Sequence, residues 1–109
     1  MIEVISSTQN DRVKRLEKLI KSKSARDSEG FIVLDGLHLL IEYKKAYGLN
    51  SVDIFVEDSP QLINQFEKEL DVTFANLSTY RLAEKVMKKI SPVVSPSGLI
   101  AIATMPRPA

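Results

Sequence analysis

Seven basic side chains crowd the stretch from Gln9 to Arg26: Arg12, Lys14, Arg15, Lys18, Lys21, Lys23 and Arg26, opposed only by Asp11 and Glu17. Lysine and arginine at this density neutralise phosphates, so the stretch is a candidate contact for a polyanion. It carries a local net charge of +5, the rest of the chain carries −4, and the 109 residues together carry +1. The same run also suits an ordinary solvated helix face. Other chemistry is poorly supplied. His38 is the single histidine, and no second histidine or cysteine stands at metal-ligand spacing from it. Glu42, four residues on, is placed for a surface contact with it. The serines form no Gly-x-Ser-x-Gly elbow, and four scattered glycines make no local phosphate cradle or Walker loop. With four Phe, three Tyr and no Trp, an aromatic platform for stacking bases is not evident. The lack of cysteine removes disulfides, thiolate metal sites and thiol nucleophiles.

The basic run reads as an amphipathic helix from Gln9 to Ser22. Val13, Leu16, Leu19 and Ile20 fall in one arc, with Lys14, Arg15, Lys18 and Lys21 opposite. Thr8 is the expected cap, with Asp11 three residues on completing a weak capping box. Arg12 departs from the pattern by lying along the apolar stripe. An unpaired guanidinium there is costly, so a carboxylate partner is expected, Asp35 first and Glu3 or Asp53 after it, unless the long side chain snorkels to water.

The polar stretch from Lys21 to Gly30 reads as a loop. Phe31 to Leu34 is a short buried strand ending at Asp35-Gly36, a turn or helix cap. Leu37, Leu40 and Ile41 begin a helix that Gly48 stops. A second strand, Val52 to Val56, leads to Ser59 and Pro60, a cap and first helical position for a helix burying Leu62, Ile63, Phe66 and Leu70. A third strand is expected at Val72 to Ala75, then a helix from about Thr79 to Lys89 with Leu82, Val86 and Ile90 inward. Pro92 and Pro96 enclose an extended segment, and Leu99 to Ala103 is a final buried strand. Alternating strands and helices predict an α/β domain of three layers, α/β/α, around a mixed, largely parallel sheet of about four strands. A length of 109 residues and 44% hydrophobic content fit one such domain. No basic, apolar leader opens the chain and no apolar run approaches a membrane span, so a membrane partner is not expected and a cytoplasmic location is.

Four pieces in order add a resemblance: ISSTQNDRVKRLEKL (Ile5 to Leu19), SARDSEGFIVLDG (Ser24 to Gly36), the helix LHLLIEY after it, and SPVVSPSGLIAIA (Ser91 to Ala103). Together they are similar to the amino-terminal substrate-binding domain of SpoU, or TrmH-type, RNA 2'-O-ribose methyltransferases. The likeness spans nearly the whole chain. It implies that Asn10, Arg12 and Lys14 belong to a first-helix signature and that Arg26 is a loop arginine. Gly30 and Phe31 match the strand entry, Gly36 the glycine that ends that strand, and Pro96, Gly98 and Ala101 the last strand. Asp35 stands where the family usually has glutamate, one methylene longer. His38 stands where a basic residue is common, so a charged contact there would depend on pH.

The resemblance further implies a fold like that of the ribosomal proteins that bind kinked RNA. RNA, ribosomal RNA in particular, is the implied partner, held by Asn10, Arg12, Lys14, Lys18, Lys21, Lys23, Arg26, Gly36 and His38. Residues 1–103 are then the RNA substrate-binding domain. Residues 104–109, with two prolines in six, begin a linker to a knotted catalytic domain. That domain would bind S-adenosylmethionine, carry the methyl transfer and form a homodimer; its signature segments do not occur here, so no cofactor and no catalytic residue are expected in this chain. Two other readings remain open: a free-standing ribosomal-type RNA-binding protein, and a protein interaction or dimerisation domain.

Overall fold

The structure, a computed structural model, describes residues 4–91 and 97–106. Strand β1 (Val4–Ile5) precedes helices α1 (Asp11–Lys21) and α2 (Lys23–Glu29). Strand β2 (Phe31–Asp35), helix α3 (Leu37–Tyr47), strand β3 (Asp53–Glu57) and helix α4 (Pro60–Leu70) follow. A single 3-10 turn (Phe74–Asn76), strand β4 (Thr79–Leu82), helix α5 (Glu84–Ile90) and strand β5 (Leu99–Thr104) complete the order.

The strands form one mixed sheet in the order β1-β4-β3-β5-β2. β1 and β3 run parallel to β4, whereas β5 is antiparallel to both its neighbours, β3 and β2. The β5 sequence LIAIAT sits between two strands and is buried through Ala103, as a strand covered on both faces must be. Alternation divides its side chains. Ile100 and Ile102 join Phe55, Leu82 and the apolar faces of α1 and α5, while Leu99, Ala101 and Ala103 join Ile54, Val56 and the apolar faces of α3 and α4. The expected α/β/α sandwich is therefore present, with five strands rather than four. The fifth, β1, is only two residues long, too short to show a period.

Helix α1 buries Val13, Leu16 and Leu19 completely or nearly so; each such side chain stabilises by roughly 1.5–3 kcal/mol. Its cap is Asn10, not Thr8: the Asn10 Oδ1 accepts the Arg12 N–H at 2.8 Å. The polar stretch expected to be a loop is helix α2. Ser22 caps it by accepting the Ala25 N–H at 3.1 Å, Gly30 closes it at φ 74°, and Lys23 and Asp27 pair across one turn at 2.8 Å. The helix buries none of its residues, so no apolar period announces it.

Two further boundaries differ from expectation. At Val72 to Ala75 the chain makes a 3-10 turn that drops Phe74 into the core, its N–H donating to Glu67 Oε2 at 2.7 Å. Thr79 to Leu82 is strand β4 and not the start of a helix. Leu82, Val86 and Ile90 are all buried as expected, and their four-residue spacing mimics one continuous helix although Leu82 belongs to the sheet. The Pro92 to Pro96 segment lies outside the described residues. Among the described residues no helix is long and apolar enough to cross a membrane.

Candidate nucleic-acid interface

Charge is segregated by layer. Helices α1, α2 and α5 cover one face of the sheet and hold ten basic against five acidic side chains, a net of +5. The remaining five basic and nine acidic side chains of the chain leave −4. The sequence run accounts for seven of the ten; α5 adds Lys85, Lys88 and Lys89, which sequence reading missed because they lie sixty residues away in a short helix. They come alongside because α1 and α5 both pack on Phe55, Ile100 and Ile102.

Several of these cations are already engaged. Arg15 pairs with Glu29 at 2.9 Å, Lys21 with Glu17 at 3.2 Å, and Lys88 with Glu84 at 2.8 Å. These exposed pairs are worth little individually. Arg26 differs. Its Nη1 donates to the carbonyl oxygens of Leu19 and Ile20 at 2.7 and 2.9 Å, satisfying groups that the end of α1 leaves open. Lys14, Lys18, Lys85 and Lys89 make no ion pair or hydrogen bond with a described residue, so their charges are uncompensated.

Arg12 is answered by an aromatic ring and not by an acid. Its guanidinium lies 4.5 Å from the centre of the Tyr80 ring, which stacks in turn on Phe55 at 5.3 Å. Arg12 is exposed and has no ion pair with a described carboxylate, so the expected Asp35 partnership is not formed. Burial pushes the Asp35 carboxyl above its ordinary pKa, opposite to the effect of an adjacent guanidinium. Asp53 is taken by Ser78, whose hydroxyl donates to it at 2.7 Å; Glu3 lies outside the described residues. His38 is exposed on α3, and Glu42 pairs instead with Lys45 at 3.7 Å.

The nine residues expected at the interface do not gather in one place. Asn10 follows β1 and Gly36 follows β2, and strands β1 to β4 all end at the same edge of the sheet. There the Ala83 N–H donates to Ile5 O at 2.9 Å, the Gly36 N–H to Leu99 O at 2.9 Å and the Asp58 N–H to Leu82 O at 2.7 Å. Helices α1, α3, α4 and α5 start at this edge and direct their positive dipole ends towards it. Asn10, Arg12, Gly36 and His38 thus belong to it. Lys21, Lys23 and Arg26 lie at the opposite end, where Gly30 leads into β2. Lys14 and Lys18 stand on α1 between the two. Pro96 lies outside the described residues; Gly98 and Ala101 are buried in or beside β5.

Gly36 caps α3 at φ 107° and ψ 161°, a region open essentially to glycine alone. Among the described residues a methyl group there would meet Ser97 Oγ at 3.8 Å, an ordinary contact, so the penalty is conformational. Gly36→Ala is expected to cost about 1–3 kcal/mol, read as a lowered midpoint in urea unfolding; an unchanged midpoint would show that the backbone relaxes without strain.

The sequence pattern of the MRM3-like substrate binding domain matches residues 10–101. The chain belongs to that family. It is 30% identical over 108 residues to an uncharacterised tRNA/rRNA methyltransferase of Synechocystis sp., covering 95% of this chain and 37% of that protein. Among solved structures it is similar to an RNA 2'-O ribose methyltransferase, with 31% identity and a TM-score of 0.73 over 97% of this chain and 39% of the other. An rRNA methyltransferase from Sinorhizobium meliloti, 22% identical with a TM-score of 0.70, shares the fold over 99% of this chain and 38% of its own. The chain therefore spans less than two fifths of the length of these relatives.

Proposed function

We propose that this domain captures structured RNA, ribosomal RNA in particular, and orients it for an RNA ribose 2'-O-methyltransferase. The observation that carries the reading is the separation of charge by layer: a +5 helical face on a body of net −4 steers a polyanion to one side. Methyl transfer requires the donor carbon in line with the attacking ribose oxygen, which is a positioning problem, and a substrate-binding domain supplies part of that positioning. Titration with a structured RNA at several salt concentrations tests it. Saturable binding that weakens linearly on a log–log plot against salt is expected; no binding at low salt would remove the proposal.

The methyl donor belongs to the rest of such an enzyme. S-adenosylmethionine supplies the methyl group when bound, and one of the S. meliloti structures contains it. A cavity between the end of α3 and the end of β5 does not suit it. That cavity, about 350 Å3, is lined among the described residues without any acidic side chain to accept ribose hydroxyls, the role a carboxylate plays in nucleotide sites. Isothermal calorimetry of this chain is accordingly expected to give no saturable heat with micromolar S-adenosylmethionine; a saturable isotherm would overturn the division of labour.

A further inference from the structure

That same cavity, which none of the nine sequence-predicted residues lines, has the composition of a nucleobase site. Tyr43 and Tyr47 stand one turn apart on α3 with ring centres 5.0 Å apart, and Tyr47 is 61% exposed. Asn50 and Ser51, after α3, and Thr104 and Met105, at the end of β5, complete the walls. The tyrosine on the inner side is fixed: its hydroxyl donates to Thr104 O at 2.9 Å, and burial pushes its pKa up. At about 350 Å3 the cavity lies at the small end of ligand sites, roughly 300–1,000 Å3. Among the described residues its lining is uncharged and mixes aromatic, amide and hydroxyl groups.

We propose that this cavity receives one unpaired base of the bound RNA, stacked on Tyr47 with its edge facing Asn50 and Ser51. Every base has a π face, and aromatic rings with neighbouring amide and hydroxyl groups are the usual means of holding splayed-out bases. The amide of Asn50 both donates and accepts, so it can meet a base edge. The position suits a strand already held by the basic layer. The Met105 N–H donates to Gly30 O at 2.8 Å, and Gly30 is the residue that closes α2. The cavity rim thus adjoins the end of the basic face. Tyr43, Tyr47, Asn50 and Ser51 are close in sequence, but only the return of β5 along β2 adds the opposite wall, Thr104 and Met105, which makes a cavity of them.

The proposal rests on the RNA reading above, and the test separates the two. Binding of two RNA hairpins is measured by fluorescence anisotropy, one blunt and one with a four-nucleotide single-stranded 3' tail. Wild-type protein is expected to prefer the tailed hairpin by roughly tenfold, and Tyr47→Ala to lose that preference while binding the blunt hairpin as before. Tyr47→Phe, which keeps the ring, should retain it. Equal binding of both hairpins by wild type, or a tail preference surviving in Tyr47→Ala, overturns the base site alone. Equal weakening on both hairpins with a lowered melting temperature overturns it too, by making Tyr47 structural. Failure of wild type to bind either hairpin removes the RNA reading and the base site with it.

Discussion

Arg26→Ala is expected to destabilise the domain by about 3 kcal/mol or more, although the residue lies in the stretch that sequence alone marks as a phosphate-binding loop. Its guanidinium donates to two carbonyls at the end of α1, at 2.7 and 2.9 Å, and the residue is half-buried. Hydrogen bonds from a charged donor contribute roughly 1.5–3 kcal/mol each, and their loss leaves acceptors unsatisfied. For a domain of this size each kcal/mol moves the melting temperature by roughly 4–8 °C, so circular dichroism should show a drop above about 10 °C. Lys23→Ala is the comparison. Its ion pair with Asp27 is exposed, with side-chain accessibilities of 80% and 51%, and such a pair is worth less than about 1 kcal/mol. Melting temperatures that fall alike in both variants would show that the carbonyl contacts of Arg26 are not what holds the end of α1. A variant that removes both residues therefore mixes folding with binding and cannot report on RNA contact.

Much of the core was legible in the sequence because two periods carry it. Val13, Leu16 and Leu19 mark a helix face, and the run from Leu99 to Ala103 marks a doubly covered strand; both are buried as read. Ser59 and Pro60 also start their helix as their types require. The failures have physical causes. Helix α2 fully buries none of its residues and is held by a serine cap, a closing glycine and an ion pair, none of which leaves an apolar pattern. β1 is stabilised by pairing with Arg81 and Leu82 of β4, partners almost eighty residues away.

The interface was legible in its sign but not in its membership. Local charge counting finds Lys14 and Lys18, yet it counts Arg26 equally although its donors face inward carbonyls. It also assigns Arg12 an acid when the partner is the Tyr80 ring. Contacts between elements, not residue types, decide which cations remain available. Lys85 and Lys89 become part of the face only because α5 packs beside α1.

Those four lysines carry the largest expected effect on RNA affinity. Each contact between a basic side chain and a phosphate contributes roughly 0.7–0.9 to the slope of log affinity against log salt. Lys14→Ala with Lys18→Ala should flatten the slope by about 1.5 and, near 0.1 M salt, weaken binding on the order of 30-fold. Adding Lys85→Ala and Lys89→Ala should take the loss towards about a thousandfold and the change in slope towards about 3. The weakening should be nearly uniform across RNA sequences, because phosphate contacts position the ligand without reading bases. Folding should be preserved, since all four side chains are exposed and make no hydrogen bond or ion pair with a described residue. The control must come from the other layer. Lys44 is unsuitable, because its Nζ donates to the Leu70 carbonyl at 2.5 Å and ties α3 to the end of α4. Lys45 and Lys68 are exposed on α3 and α4, and replacing both should leave affinity within a few-fold of wild type after screening by salt. If the Lys45/Lys68 variant loses as much affinity as the Lys14/Lys18 variant, attraction is diffuse and the α1/α5 face is not the binding surface.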